Sequence, residues 1–352
     1  MSTAIRFAAF GVLFAALSSC SMFDYSNMVV HKYALVYGVT IYTTAFGAGS
    51  SPNLQYPDAD ATSMVSLLRS QGYTVKYRIV NSSGDAVYDL GSGQTDAGAV
   101  GQLQTSVPSG SSSTGGTAAD AFAPSKTNIL TDIQGIAPSL GPNDVLLVYF
   151  SGHGTQDTSV SPAREYFDPY GSVMQYTADD NYYDFPVPSM RDDELRSAFD
   201  SISTPRKVLI LDTCNSGGFV GNQAEVDWTA PSSAGTITLV SPVTLFAAIA
   251  NYATFQSSPT GLSPYGTAQV ISAAGRDELS YETTSYGHGV MTYWLLQGLA
   301  GPADLNHDGH ITVLEAYAYA KAGVDQNWNP AVGPASSFEP HVSGGPVDFE
   351  LF

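Results

Sequence analysis

Cys214 stands in the stretch KVLILDTCNSGGF, residues 207–219, where the apolar run Val208-Leu209-Ile210-Leu211 is closed by Gly217-Gly218. Such a run predicts a strand buried on both faces, with the cysteine at its carboxyl end. Open α/β sheets keep their ligand crevices at that end. Residues 144–154, DVLLVYFSGHG, repeat the pattern: an apolar strand runs into Gly152-His153-Gly154. If the two strands are parallel neighbours, a thiol and an imidazole emerge side by side. That pair is equipped for nucleophilic acyl transfer, the imidazole moving the proton and the thiolate attacking. The peptide N–H groups of Gly154 and of Cys214 itself are candidate donors to the oxyanion. A lone cysteine after a strand is commonly a small buried hydrophobe and a lone histidine a satisfied polar residue. The shared strand-then-glycine pattern is what favours chemistry. His288, in Gly287-His288-Gly289, follows no apolar strand and is set aside as a base.

Ser151-Gly152-His153-Gly154 and Asp212-Thr213-Cys214-Asn215-Ser216-Gly217 resemble the two motifs of caspase-like cysteine peptidases of the metacaspase group, SGHG and D-x-C-H-S-G. Asn215 departs from the usual histidine. The resemblance covers most of residues 32–325 and implies an α/β caspase-like sandwich with a central, mainly parallel sheet flanked by helices. It also implies a cysteine-type endopeptidase with a Cys214–His153 dyad; the tuning of the thiolate is left open, and a depressed thiol pKa would favour the enzyme. Asp60 and Asp212 match acids that line a pocket for Arg or Lys in that family, although Pro57 replaces a nearby cysteine. Two desolvated carboxylates would select a cation, so peptides basic at the cut are the implied substrates. Read without the resemblance, Asp60 caps a helix and Asp212 pins a turn. Asp192 and Asp193 match the D-D-E-L acids that bind activating calcium in many metacaspases, with Asp179 or Asp180 as a third ligand; Gly221 stands where that group has a further acid. The competing class is a catalytically inactive caspase-like lipoprotein whose crevice binds peptides or an envelope partner.

Residues 304–315, DLNHDGHITVLE, fit the twelve-residue calcium loop of an EF-hand at every diagnostic place. Asp304, Asn306, Asp308 and Glu315 offer side-chain oxygens, His310 a carbonyl, Thr312 a direct or water-borne ligand, and Gly309 the sharp turn. The entry through Gly301-Pro302 is short, so a single half-hand is expected. Calcium is the expected cofactor, and a calcium-dependent structural module is a third reading. With no dinucleotide fingerprint, phosphate loop or C-x-x-C, no organic cofactor is expected.

The 352 residues are 43% apolar, enough for a sizeable core, and 32 acids against 13 bases leave a net charge of −19. That balance argues against nucleic acid or an anionic membrane surface and suits basic peptides or calcium. Arg6, an apolar run over 7–17 and Leu17-Ser18-Ser19-Cys20 look like a bacterial lipoprotein signal. Residues 1–19 would be removed, Cys20 lipidated, and 20–31 would serve as a tether at the cell envelope, Ser21 directing sorting to the outer membrane; plain signal cleavage is the rival. Acylated Cys20 leaves Cys214 as the one thiol. The sequence does not set the oligomeric state.

Strands are expected over 33–39, 75–80 and 268–275. Helices are expected where Met64, Val65, Leu67 and Leu68, then Ile129, Ile133 and Ile136, then Leu195, Phe199 and Ile202 recur at helical spacing, and again over 289–296. The Ser/Gly-rich stretch 81–124 reads as a disordered insertion, 155–190 as a polar, aromatic loop over the crevice, and 326–352 as an extension beyond the domain. Lys126 and Arg164, in or beside those stretches, are expected as self-cleavage points.

Overall fold

The computed structural model describes residues 30–44, 53–91, 122–157, 164–174, 189–214, 216–220, 268–275, 277–343 and 348–352. The leader with Cys20, and Asp179, Asp180, Asn215 and Gly221, lie outside the described residues.

In chain order the strands are β1 (Lys32–Val39), β2 (Thr43–Thr44), β3 (Thr74–Val80), β4 (Ala86–Asp89), β5 (Val145–Ser151), β6 (Gly154–Asp157), β7 (Arg164–Phe167), β8 (Val173–Met174), β9 (Met190–Arg191), β10 (Arg206–Asp212), β11 (Gln269–Ser272), β12 (Glu282–Thr283), β13 (His288–Gly289) and β14 (His341–Ser343). The main helices are α1 (Pro57–Ser70), α2 (Lys126–Ile136), α3 (Asp192–Asp200), α4 (Val290–Leu299) and α5 (Val313–Gly323).

Seven strands form the central sheet in the order β14-β11-β10-β5-β1-β3-β4. The five inner strands are parallel, and antiparallel β14 and β4 close the edges. Side chains alternate across this sheet, which is why the inner strands read as unbroken apolar runs. Val36, Leu147 and Ile210 point to one face with Met64, Met291, Leu295 and Tyr317 of α1, α4 and α5. Leu35, Leu146 and Leu209 point to the other with Ile129, Ile133, Leu195 and Phe199 of α2 and α3. Each fully buried Leu or Ile contributes about 1.5–3 kcal/mol, so the two cores hold the strand ends in fixed register.

Three stretches differ from the sequence reading. Residues 81–91 are ordered: Gly84, at φ +80°, turns the chain so that β4 pairs with β3. The far end of the insertion is also held, because Arg78 forks onto Asp132 at 2.6 and 2.9 Å and donates to the Phe122 carbonyl. Between residues 155 and 190, β6, β7 and β9 make an antiparallel sheet instead of a loop. Its anchor is Phe167, buried against Phe150 with ring centroids 4.4 Å apart, an aromatic contact hidden in a polar composition. Residues beyond 326 complete the domain, since β14 is a sheet edge and Leu351 is buried. Lys126 opens α2 and pairs with Glu194 at 2.6 Å, and Arg164 starts β7, so neither stands in an irregular loop.

Candidate active site

The parallel β5–β10 ladder sets Ser151 opposite Asp212, and the Gly152 N–H donates to the Asp212 carbonyl at 3.3 Å. His153 and Cys214 therefore each stand two residues past one rung of neighbouring strands, which run about 4.8 Å apart. The loops pack directly together. A Cβ on Gly154 would strike the Cys214 carbonyl oxygen and the Thr213 side chain, so only glycine fits there.

A closed circuit fixes the His153 backbone. Its N–H donates to the Tyr42 hydroxyl at 2.8 Å, Tyr42 donates to the Asp168 carbonyl at 2.9 Å, and the Asp168 N–H donates to the His153 carbonyl at 2.9 Å. The Asp168 N–H bond to the His153 carbonyl sets the rung alternation, which makes the next pair, Gly154 and Phe167, non-bonded. The Gly154 N–H thus points away from β7.

The Cys214 thiol lies 3.6 Å from the Ser280 carbonyl and 3.8 Å from its hydroxyl. Burial pushes the thiol pKa up, and the Asp212 charge adds to this against the lowering contacts of Ser280. Burial outweighs the Ser280 contacts. Such a thiol needs a base at the moment of attack. Ser216 braces the turn, donating to the Thr213 carbonyl at 2.8 Å and meeting the Ser272 hydroxyl at 2.8 Å.

Asp60 of α1 and Asp212 of β10 come together as the sequence pattern implied. Both border Gly289, where a Cβ would lie 3.0 Å from Asp60 Oδ2 and 2.5 Å from Asp212 Oδ2. Their surroundings differ. Asp60 accepts from His288 Nδ1 at 2.8 Å, from Ser151 Oγ at 2.9 Å and from the Gly289 N–H at 3.0 and 3.2 Å. Among the described residues, Asp212 accepts on Oδ2 alone, from the Thr292 hydroxyl at 2.6 Å and the Thr292 N–H at 3.1 Å. Burial, followed by the Asp60 charge, pushes the Asp212 carboxyl up to about 7. Burial also raises Asp60, against the lowering pull of His288.

Tyr42, Ser280, His288 and Thr292 are site residues that the motifs did not reveal. For His288 the signal was present in its flanking glycines, which let the backbone reach Asp60.

In the 304–315 loop, Gly309 makes the sharp turn at φ +89°. Asp304 accepts the Asp308 and Gly309 N–H groups, Asn306 Oδ1 accepts the Asp308 N–H, and Asp308 accepts the His310 N–H. Buried Glu315 accepts from the Asn306 N–H and from the Thr312 N–H and hydroxyl. The donor set is all oxygen, as a hard cation requires. Among the described residues, no three His, Cys, Asp or Glu side chains are gathered around a metal position. The loop is also tied down by an isolated bridge: the Ile311 N–H donates to the Phe352 carbonyl, and the Leu351 and Phe352 N–H groups donate to the Ile311 carbonyl. At the D-D-E-L acids, Asp193 is forked by Arg191 at 2.9 and 3.1 Å and Asp192 accepts the Asp193 N–H. Both carboxylates already have partners.

A model of the caspase domain family matches residues 31–327. Among solved structures, a protein from Geobacter sulfurreducens aligns at TM-score 0.48 and 16% identity, over 90% of this chain and 95% of that one. Caspase-1 from Spodoptera frugiperda aligns at TM-score 0.45 and 11% identity, over 90% and 87%. No curated protein sequence matches the chain.

Proposed function

The chain belongs to the caspase-domain family of cysteine peptidases, and from that premise we propose that it is an endopeptidase cutting after Arg or Lys, with Cys214 as nucleophile and His153 as base and acid. The observation that carries this reading is the common rung, Ser151 opposite Asp212, from which His153 and Cys214 emerge in step.

His153 takes the thiol proton as Sγ attacks the scissile carbonyl. The new S–C bond pushes charge onto the carbonyl oxygen, for which the Gly154 and Cys214 N–H groups are the donors. Collapse breaks the C–N bond, His153 returns the proton to the leaving amine, and water hydrolyses the thioester by the same base. The half-buried thiol, its pKa raised, fits this order, since it stays protonated until the base acts. The side chain before the cut enters beside Asp212 and Asp60.

Calcium binding by Asp304, Asn306, Asp308, His310, Thr312 and Glu315 is part of the proposal, supported by the oxygen donors and the Gly309 turn; bound there, the ion would tie the α4–α5 connection to residues 349–352. Lipidation at Cys20 and an envelope location complete it, resting on the leader sequence. Among the described residues no helix is long and apolar enough to cross a membrane.

A peptide-library digest with and without calcium tests the function, with Cys214→Ala as control. Cuts after Arg and Lys that vanish in Cys214→Ala support it. A parent that cuts nothing, or cuts equally in Cys214→Ala, overturns it and leaves peptide binding in the crevice as the use of the fold.

A further inference from the structure

A carboxylate offers about four lone-pair positions to donors. Asp60 has His288, Ser151 and the shared Gly289 N–H on its two oxygens. Asp212 has both its donors, the Thr292 hydroxyl and N–H, on Oδ2, and Oδ1 accepts no hydrogen bond among the described residues. Nearby Glu282 accepts the Gln55 and Tyr56 N–H groups at 2.8 and 3.0 Å, and among the described residues His288 Nδ1 bonds to Asp60 instead. The two acids therefore present different faces to an entering cation. One is engaged on both oxygens and the other is open on one.

We infer that His288 is a specificity-determining positioning residue: by holding Asp60 at 2.8 Å it leaves Asp212 as the one carboxylate a substrate cation engages. The inference rests on the basic-side-chain pocket proposed above and narrows it. A guanidinium gains over an ammonium when it can form two parallel bonds to a fully free carboxylate, or bridge two of them. With one open oxygen, Lys and Arg are accepted alike. His288 thus makes a general basic pocket where two free acids would make an arginine pocket. It touches no reacting atom and acts through Asp60.

The test compares kcat/KM for three peptides that carry Arg, Lys or uncharged norleucine before the cut. With His288 present, Asp212→Asn lowers the Arg-to-norleucine ratio about ten- to a hundredfold, whereas Asp60→Asn moves it less than about threefold. In a His288→Ala background Asp60 Oδ1 keeps only the Gly289 N–H and gains an open lone-pair position, so Asp60→Asn now lowers the ratio about tenfold, and the Arg-to-Lys ratio of His288→Ala itself rises. His288→Gln, whose amide donates to Asp60, restores the parent pattern. If His288→Ala fails to fold, Asp60→Asn against Asp212→Asn in the parent still decides. An Asp60→Asn cost equal to that of Asp212→Asn, or one that is the same with and without His288, overturns the inference while leaving the basic pocket intact. A parent with no preference for Arg or Lys over norleucine removes the pocket reading itself.

Discussion

The hydroxyl of Tyr42 receives the His153 N–H at 2.8 Å, and the two rings lie 4.7 Å apart. The Tyr42 hydroxyl in turn donates a hydrogen bond to the Asp168 carbonyl, so the loop that carries the base is closed on itself. Tyr42→Phe keeps the ring and deletes both hydrogen bonds. Near-attack geometry is sensitive to small displacements, so kcat should fall about tenfold with KM nearly unchanged. Steady-state kinetics on a folded variant checks this, and a kcat within twofold of the parent's contradicts it.

Asp212 titrates near neutrality because burial and the Asp60 charge both oppose its ionisation. A cation is held by the ionised form. For an Arg peptide, kcat/KM relative to a norleucine peptide should therefore rise about tenfold between about pH 6 and pH 8. Asp212→Asn should give a flat ratio. A slope that survives in that variant assigns the titration elsewhere.

Asp168 is fully buried, takes a hydrogen bond from Ser189 at 2.6 Å with Thr155 also lowering its carboxyl pKa, and has no hydrogen-bond partner at Oδ2 among the described residues. Burial pushes its carboxyl up to about 7, against about 4 in the unfolded chain. Between those values the folded state binds the extra proton, so this contribution to stability is complete below the lower value and lost as pH rises through the upper one. Melting temperature should thus fall less between about pH 5 and pH 8 in Asp168→Asn than in the parent. Parallel curves would refute the assignment.

Ile311 pairs with Leu351, whose carbonyl also receives the Lys32 ammonium and the Tyr73 hydroxyl, each at 3.0 Å. If the 304–315 loop takes calcium, saturating calcium should raise the parent's melting temperature by several degrees. Glu315→Gln removes a buried ligand charge and should abolish that rise. Deleting residues 349–352 should lower melting even without calcium, because it strips the residues that tie the loop down. Calcium that shifts parent and Glu315→Gln alike binds elsewhere.

The inner strands were legible because a buried parallel strand has to be apolar throughout, as Val145 to Phe150 and Val208 to Leu211 are. The two motif ends followed from those strands. Asp60 and Asp212 were legible through motif positions, but their inequality was not, since His288 and Thr292 reach them from the β13–α4 corner, 228 and 80 residues away in sequence. β4 and β7 were missed for a related reason. Each spans four residues within a polar stretch, and Ala86 and Phe167 become core through contacts with β3 and Phe150. The raised thiol of Cys214 was hidden too, because burial by the Ser280 segment is a tertiary fact.

The most direct measurement is intact-mass analysis after incubation with an arginyl peptide carrying a carbonyl-adjacent leaving group, a reagent that alkylates a nucleophile only when it is seated and attacking. One adduct per chain is expected, mapped to Cys214 and slowed at least about a hundredfold in His153→Ala. An unmodified parent, or an adduct that forms at the same rate without His153, would contradict it.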